Sequence, residues 1–302
     1  MLRTRNPATP RSPGDLRALC VCADAEVRGI VEPALAAAGL VVEHRAKVEG
    51  SLAGFAVIVV DRDARCAAGD ALRTAAAPVV VVGDDLADDG LIALMLDAPV
   101  SHHVGEPDDR DLGITSEKLV TGDLFGLEKY VVRGTAVHER AVAGDADKRA
   151  AIDEVCVWAE GVGARRPVLH RLASVVDELL MNALLDAPRA HDSAARGTAL
   201  LRWAADDRVL AVSVGDAYGA LRQRDVIDHV RRARHERGRP MPEAAPGAGL
   251  GLYLVLANVA SLVVNVEPGQ RTEVVCLFDL AHRERRAVAS GVRSLHVFAA
   301  PA

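Results

Sequence analysis

The chain is poor in aromatic residues: Phe, Trp and Tyr make up 3% of its 302 residues. A core must then be built from Ala, Val and Leu, and with 50% of the residues apolar there is material for a sizeable one. No apolar run approaches the ~18 residues of a membrane span, so no transmembrane helix is expected. The opening MLRTRNPATPRSPGD has no apolar segment and does not read as a secretory signal. Excess positive charge is also missing. The formal net charge is −6, which argues against nucleic acid or a membrane surface as a direct partner. The five cysteines (Cys20, Cys22, Cys66, Cys156 and Cys276) form no Cys-x-x-Cys pair. Zinc is therefore not expected, and the thiols read as small buried hydrophobes of a protein in a reducing cytoplasm.

The length suits two domains better than one. Residues 1–14, rich in Pro, Arg and Ser, read as a disordered tail. From residue 15 to 108 short Val/Ile runs alternate with helix-like stretches. Leu16–Cys22, Val41–His44, Ala56–Val60, Val79–Val82 and Ser101–Val104 are strand-like. Ala25–Ala38, Ala67–Ala76 and Leu86–Leu96 are helix-like. Nearly continuous apolar strands between helices predict a parallel sheet covered on both faces. With Asp24 after the first strand and Asp61 directly after the third, this stretch resembles the receiver domain of response regulators, a flavodoxin-like α/β fold. The resemblance implies Mg²⁺ at Asp24 and makes Asp61 a candidate phosphoacceptor. However, Gly83 replaces the small hydroxyl expected after the fourth strand, and Glu106 stands where a Lys-Pro pair is expected. An anion in place of a cation inverts the electrostatics a phosphoryl group needs. A pseudo-receiver used for docking or homodimerisation is the favoured reading.

Residues 109–126 are polar, contain Gly113, Gly122 and Gly126, and read as a linker. A second domain is expected over 127–283, followed by a C-terminal extension, 284–302, whose apolar end suggests an extra strand. The valines of Glu128–Val142 predict a strand, and Ala146–Ala159 predicts a helix ended by Gly161 and Gly163. The next helix, from Pro167 to about Leu185, has a wide apolar face. Its residues Ser174, Glu178, Asn182 and Asp186 recur every four positions and make one polar stripe.

Three further motifs follow in order. The strand-like Arg208–Val214 runs into Asp216-x-x-Gly219. Gly247-Ala-Gly249-Leu250-Gly251-Leu252 precedes a helix-like run, where glycines and helix N–H groups favour a phosphate. Gly269-x-x-Thr272 sits in a hairpin, Val263–Val266 with Thr272–Leu280. The glycine run lacks the preceding strand and the spacing of a dinucleotide fingerprint. Between the Asp and glycine motifs, residues 220–240 hold seven arginines, at 222, 224, 231, 232, 234, 237 and 239.

Together these motifs resemble the ATP-binding fold shared by gyrase, Hsp90, histidine kinases and MutL, an α+β sandwich of the Bergerat type. The resemblance implies ATP and Mg²⁺ as ligands. It gives Glu178 the role of orienting or deprotonating a nucleophile and Asn182 that of ligating Mg²⁺. Asp216 would read the adenine amine, with Gly219 letting the base approach and Thr272 joining the contact. Gly247, Gly249, Leu250 and Gly251 would wrap the phosphates, under an arginine-rich lid. No long helical hairpin surrounds His138, so a histidine-kinase phosphoacceptor is not favoured there. Glu-Leu-Leu-x-Asn is closest to the anti-sigma-factor serine kinases, although Asp186 replaces their usual His. The implied partner is a protein: a sigma factor, an anti-anti-sigma factor or a response-regulator-like protein. Protein kinase, nucleotide-gated binding module and degenerate adaptor stay open.

Overall fold

The computed structural model describes residues 16–96, 99–190, 197–236, 250–280 and 292–301. Among the described residues one mixed sheet of 11 strands runs through both halves of the chain, in the order β2-β1-β3-β4-β5-β11-β9-β10-β8-β7-β6. The strands of the first half are β1 (Arg17–Val21), β2 (Val41–His44), β3 (Phe55–Asp61), β4 (Val79–Val82) and β5 (Val100–Val104). All are parallel. The second half contributes β6 (His138–Val142), β7 (Ala199–Ala205), β8 (Val209–Asp216), β9 (Ser261–Glu267) and β10 (Arg271–Asp279), paired antiparallel.

The last strand, β11 (Ser294–Ala299), joins them: it is antiparallel to β5 and parallel to β9. The C-terminal stretch read as an extension is thus an interior strand. Every residue of β4 and nearly every residue of β3 is buried, as strands covered on both faces require.

The helices are α1 (Ala25–Ala37), α2 (Arg62–Ala68), α3 (Asp89–Leu96), α4 (Asp109–Thr121), α5 (Asp145–Gly161), α6 (Arg166–Met181), α7 (Ala187–Ala190), α8 (Gln223–Glu236) and α9 (Leu250–Asn258). Elements from α2, α3, α5, α6, α8 and α9 share one continuous core with the sheet. On the opposite face, α1 and α4 cover the parallel strands. There Leu124, Leu127, Tyr130 and Val131 cover the antiparallel strands against Ala211, Val263 and Val275.

Several sequence expectations change. The segment read as a linker, 109–126, holds α4, which is capped by Asp108 and ended by Gly122 at φ 71°. Its buried face carries Thr115, Ser116 and Lys118 beside Leu112, so no apolar stripe marks it in sequence. Lys118, 1% exposed, donates to Tyr130 Oη and Asn265 Oδ1, each at 2.6 Å. Glu273 nearby accepts from Gly126 N and Asn265 Nδ2. Of the stretch Glu128–Val142, only His138–Val142 is a strand, because Leu127–Tyr130 turns as a 3₁₀ helix to bury Leu127 and Tyr130. Among the cysteines, Cys66 is exposed and Cys156 half-buried, against the expectation of five buried thiols. No helix among the described residues is long and apolar enough to cross a membrane.

Candidate functional site

The helix that carries Glu178 and Asn182 does not run on unbroken as α-helix. α6 starts with Pro at its first turn and buries Leu172, Val175, Val176, Leu179 and Leu180 against the sheet. At Asn182–Asp186 it widens into a π turn, closed by Ala187 N–H donating to Asn182 O, before α7 resumes. Single π turns of this kind are frequent at functional sites.

This turn forms one wall of a cleft of about 1000 Å³. Glu178 and Asn182 line it from α6 and the π turn, Asp216 from the end of β8, Thr272 from β10 and Gly251 from the start of α9. Five of the residues singled out in sequence thus share one wall-to-wall space. Gly219 lies just beside it, in a neighbouring hollow of about 610 Å³. Leu250 opens α9, while Gly247 and Gly249 fall outside the described residues. Asp61 belongs to β3 and does not line the cleft.

The local geometry of the Asp216 end follows from strand pairing. Asp216 and Thr272 are directly opposite in the β8/β10 ladder. Asp216 Oδ1 accepts from Tyr218 N at 2.8 Å and Gly219 N at 3.3 Å, an Asx turn that ends the strand. Burial pushes the Asp216 carboxyl up, and these backbone N–H groups oppose the rise. Gly219 has φ 61°, and its Cα packs on the β9–β10 turn. A Cβ there would collide with Glu267 O and lie 2.8 Å from the backbone nitrogens of Gly269 and Gln270, so only glycine fits. Thr272 is 3% exposed, and its hydroxyl and backbone N–H lie against the Asp216 carboxyl and also oppose its rise.

At the other end, α6 and α9 pack so closely that a Cβ on Gly251 would collide with Glu178 Oε2 and lie 3.8 Å from Asn182 Oδ1. The glycine therefore keeps the start of α9 beside both polar groups. Burial pushes the Glu178 carboxyl up, Asp177 and Asp186 add to the rise, and Lys148 opposes it. Lys148, on α5, pairs with Asp177 at 2.6 Å and lines the same cleft. Sequence reading missed Lys148, Arg189 and His229, which also line it. Lys148 comes from a helix with no motif, and only its pairing with the neighbour of Glu178 reveals it.

The outer wall is α8, the arginine-rich segment. Val226, Ile227 and Val230 are buried, and Arg224 and Arg231 pair with Asp228 on the helix itself. Gln223 Nε2 donates to Met95 O at 2.6 Å and Val100 O at 3.0 Å, which fastens α8 to the end of α3 and the start of β5. Arg237 and Arg239 fall outside the described residues. His138 sits on β6, its ring stacked on Trp203 and edge-on to Trp158.

In the first half, Asp61 is 5% exposed. Its Oδ2 accepts from the backbone N–H groups of Ala23 and Asp24, and its Oδ1 from Ala64 N. Asp24, the other receiver-like acid, caps α1 by accepting from Glu26 N and Val27 N. Directly beyond Gly83, the buried Asp84 pairs with Arg65 at 2.5 Å. No protein-family model matches this chain, and no curated protein matches it either.

Proposed function

We propose that the cleft binds ATP with Mg²⁺. We further propose that the chain is a signalling protein of the gyrase, Hsp90, histidine kinase and MutL type that transfers the γ-phosphoryl group to a protein partner. One observation carries the reading. Asp216, Thr272, Glu178, Asn182 and Gly251 come from distant parts of the sequence and converge on one cleft, where the buried Thr272 hydroxyl sits beside the Asp216 carboxyl. A carboxylate in that place accepts from the adenine amine, whereas guanine would present a carbonyl to it. The Thr272 hydroxyl beside it suits the same base edge.

Asn182 Oδ1 is a hard oxygen of the kind Mg²⁺ takes, and the acidic Asp186 lines the same wall. When bound, Mg²⁺ neutralises phosphate charge. The start of α9, with Gly251 in place of a side chain, offers N–H groups to an anion. Glu178, raised by burial, is suited to accept the proton of an attacking hydroxyl.

The first half supports a receiver-like sheet without the receiver reaction. Its strands follow the order 2-1-3-4-5 of flavodoxin-like folds. Both oxygens of Asp61 are engaged by the chain's own N–H groups, and the Arg65–Asp84 pair occupies the adjoining position. A docking role follows, with a sigma factor, an anti-anti-sigma factor or a response-regulator-like protein as partner. A second reading, nucleotide-gated binding without turnover, is favoured by Gln223. Its two hydrogen bonds tie α8, a wall of the cleft, to the first half, so a ligand that shifts α8 shifts that contact.

Calorimetry of the full chain with ATP, with and without Mg²⁺, tests the common core of both readings. Binding that depends on Mg²⁺ and loses that dependence in Asn182→Ala is expected, and no heat from the wild type ends the proposal. Labelled ATP then separates the two. Phosphoryl transfer to a partner that disappears in Glu178→Ala, with ATP binding retained, identifies a kinase. Binding without transfer or hydrolysis in either protein identifies the gated module.

A further inference from the structure

On the first half, away from the cleft, one group of side chains has donor chemistry that nothing above uses. Cys20 on β1, Glu32 on α1 and His44 on β2 each bring one ligand-type atom to within 4.8 Å of the other two. The register of the sheet creates this: Cys20 and His44 are Cα partners in the parallel β1/β2 ladder, and α1 crosses above them. His44 Nδ1 lies 3.7 Å from Glu32 Oε1.

We infer that Cys20, Glu32 and His44 form a binding site for a divalent transition metal of the zinc class, with a solvent molecule as fourth ligand. A tetrahedral zinc with bonds of about 2.0–2.3 Å holds its donors roughly 3.3–3.7 Å apart, so the observed spacing needs only a small contraction. Thiolate, imidazole and carboxylate are the three ligand types zinc takes, and the two anions balance the dication. Binding displaces the thiol proton of Cys20 to solvent.

The surroundings favour a cation at this point. The neighbouring strand cations Arg17 and Arg45 both pair with Glu43 and so leave the trio unneutralised. Access comes from the outside. The Cys20 residue is fully buried, whereas the His44 and Glu32 side chains are 41% and 39% exposed. The simple alternative is a His44–Glu32 ion pair over an inert thiol, and such an exposed pair adds little stability.

Cobalt(II) distinguishes them, because a cobalt–thiolate bond gives a charge-transfer absorption that nitrogen and oxygen ligands do not. Reduced full-length protein titrated with Co²⁺ is expected to show this band at one equivalent and to lose it when Zn²⁺ is added. Cys20→Ala should abolish the band, and Cys66→Ser, at an exposed thiol, should keep it. His44→Ala and Glu32→Gln alter half-exposed side chains and leave the fold intact. Each should weaken Co²⁺ binding at least ~10-fold, the loss seen even for outer-shell partners. The inference is overturned if the wild type shows no thiolate band, if the band survives in Cys20→Ala, or if His44→Ala binds Co²⁺ as tightly as the wild type.

Discussion

Asp61 and Asp216 are each the last residue of a strand, β3 and β8, and each accepts backbone N–H groups from the turn that follows. They differ in what else surrounds them. Asp61 is buried among the N–H groups of Ala23 and Asp24, from the segment between β1 and α1, and of Ala64, in the first turn of α2. Asp216 faces a cleft of about 1000 Å³, beside the buried hydroxyl of Thr272 in the opposite strand. One carboxylate is spent on holding its own chain, and the other remains available to a ligand. The position of an acid after a strand does not separate these cases, whereas the donors around it do. Lys118 belongs with Asp61, its amine committed to Tyr130 and Asn265.

The largest expected effect lies on the spent side. Asp61→Ala leaves three backbone N–H groups without their acceptor and should cost about 3 kcal/mol of stability, at roughly 1 kcal/mol each. Urea unfolding measures this, and ATP affinity should not change. A smaller loss of stability, together with loss of ATP binding, would break the comparison.

Next comes the pH dependence set by Lys118, whose pKa burial lowers to about 7. The unfolded chain keeps the ordinary, higher lysine value, so above pH 7 it binds more protons than the folded one. Stability therefore rises with pH, by up to ~1.4 kcal/mol per unit between pH 7 and 9. Below that window His102 and His103 intrude, both lowered chiefly by burial, and inside it, above about pH 8, the raised thiols of Cys22, Cys156 and Cys276 oppose the rise, because the same thiols ionise there in the unfolded chain. Lys118→Met should flatten the rise, as followed by urea unfolding at pH 7, 8 and 9.

On the available side the effects fall on the ligand. Asp216→Ala should weaken ATP binding about 10–100-fold, the equivalent of one hydrogen bond to a charged group. Its thermal stability should change less than that of Asp61→Ala. The smallest and sharpest test is Thr272→Val, which removes the hydroxyl beside Asp216 and keeps the shape. Stability should fall by no more than about 1 kcal/mol, the worth of one hydrogen bond, while ATP affinity falls ~5-fold. If Thr272→Val destabilises the protein and leaves affinity alone, Thr272 belongs with the spent residues.

Much of the cleft was legible in sequence because its parts are local. A polar stripe at four-residue spacing is a property of one helix, and Glu178 and Asn182 line the cleft from that stripe. A Gly that follows an Asp at a strand end reads as a turn, and Gly219 indeed takes a positive φ. The π turn that follows Asn182 left no such trace, and neither did Lys148, which arrives from a neighbouring helix. Helix α4 was missed for a related reason. Its inward face carries Thr115, Ser116 and Lys118, so its burial is satisfied by hydrogen bonds and no apolar period announces it.

By itself the sequence determined the apolar strand runs, the motif residues and their order along the chain, because each depends only on near neighbours. The tertiary structure alone decided that β11 would enter between β5 and β9, that Cys20 would meet His44 and Glu32, and which buried charges are spent and which face open space. Those outcomes rest on strand register and helix packing between residues far apart in the chain, where pairing is set by the burial of whole faces and carries no local signature.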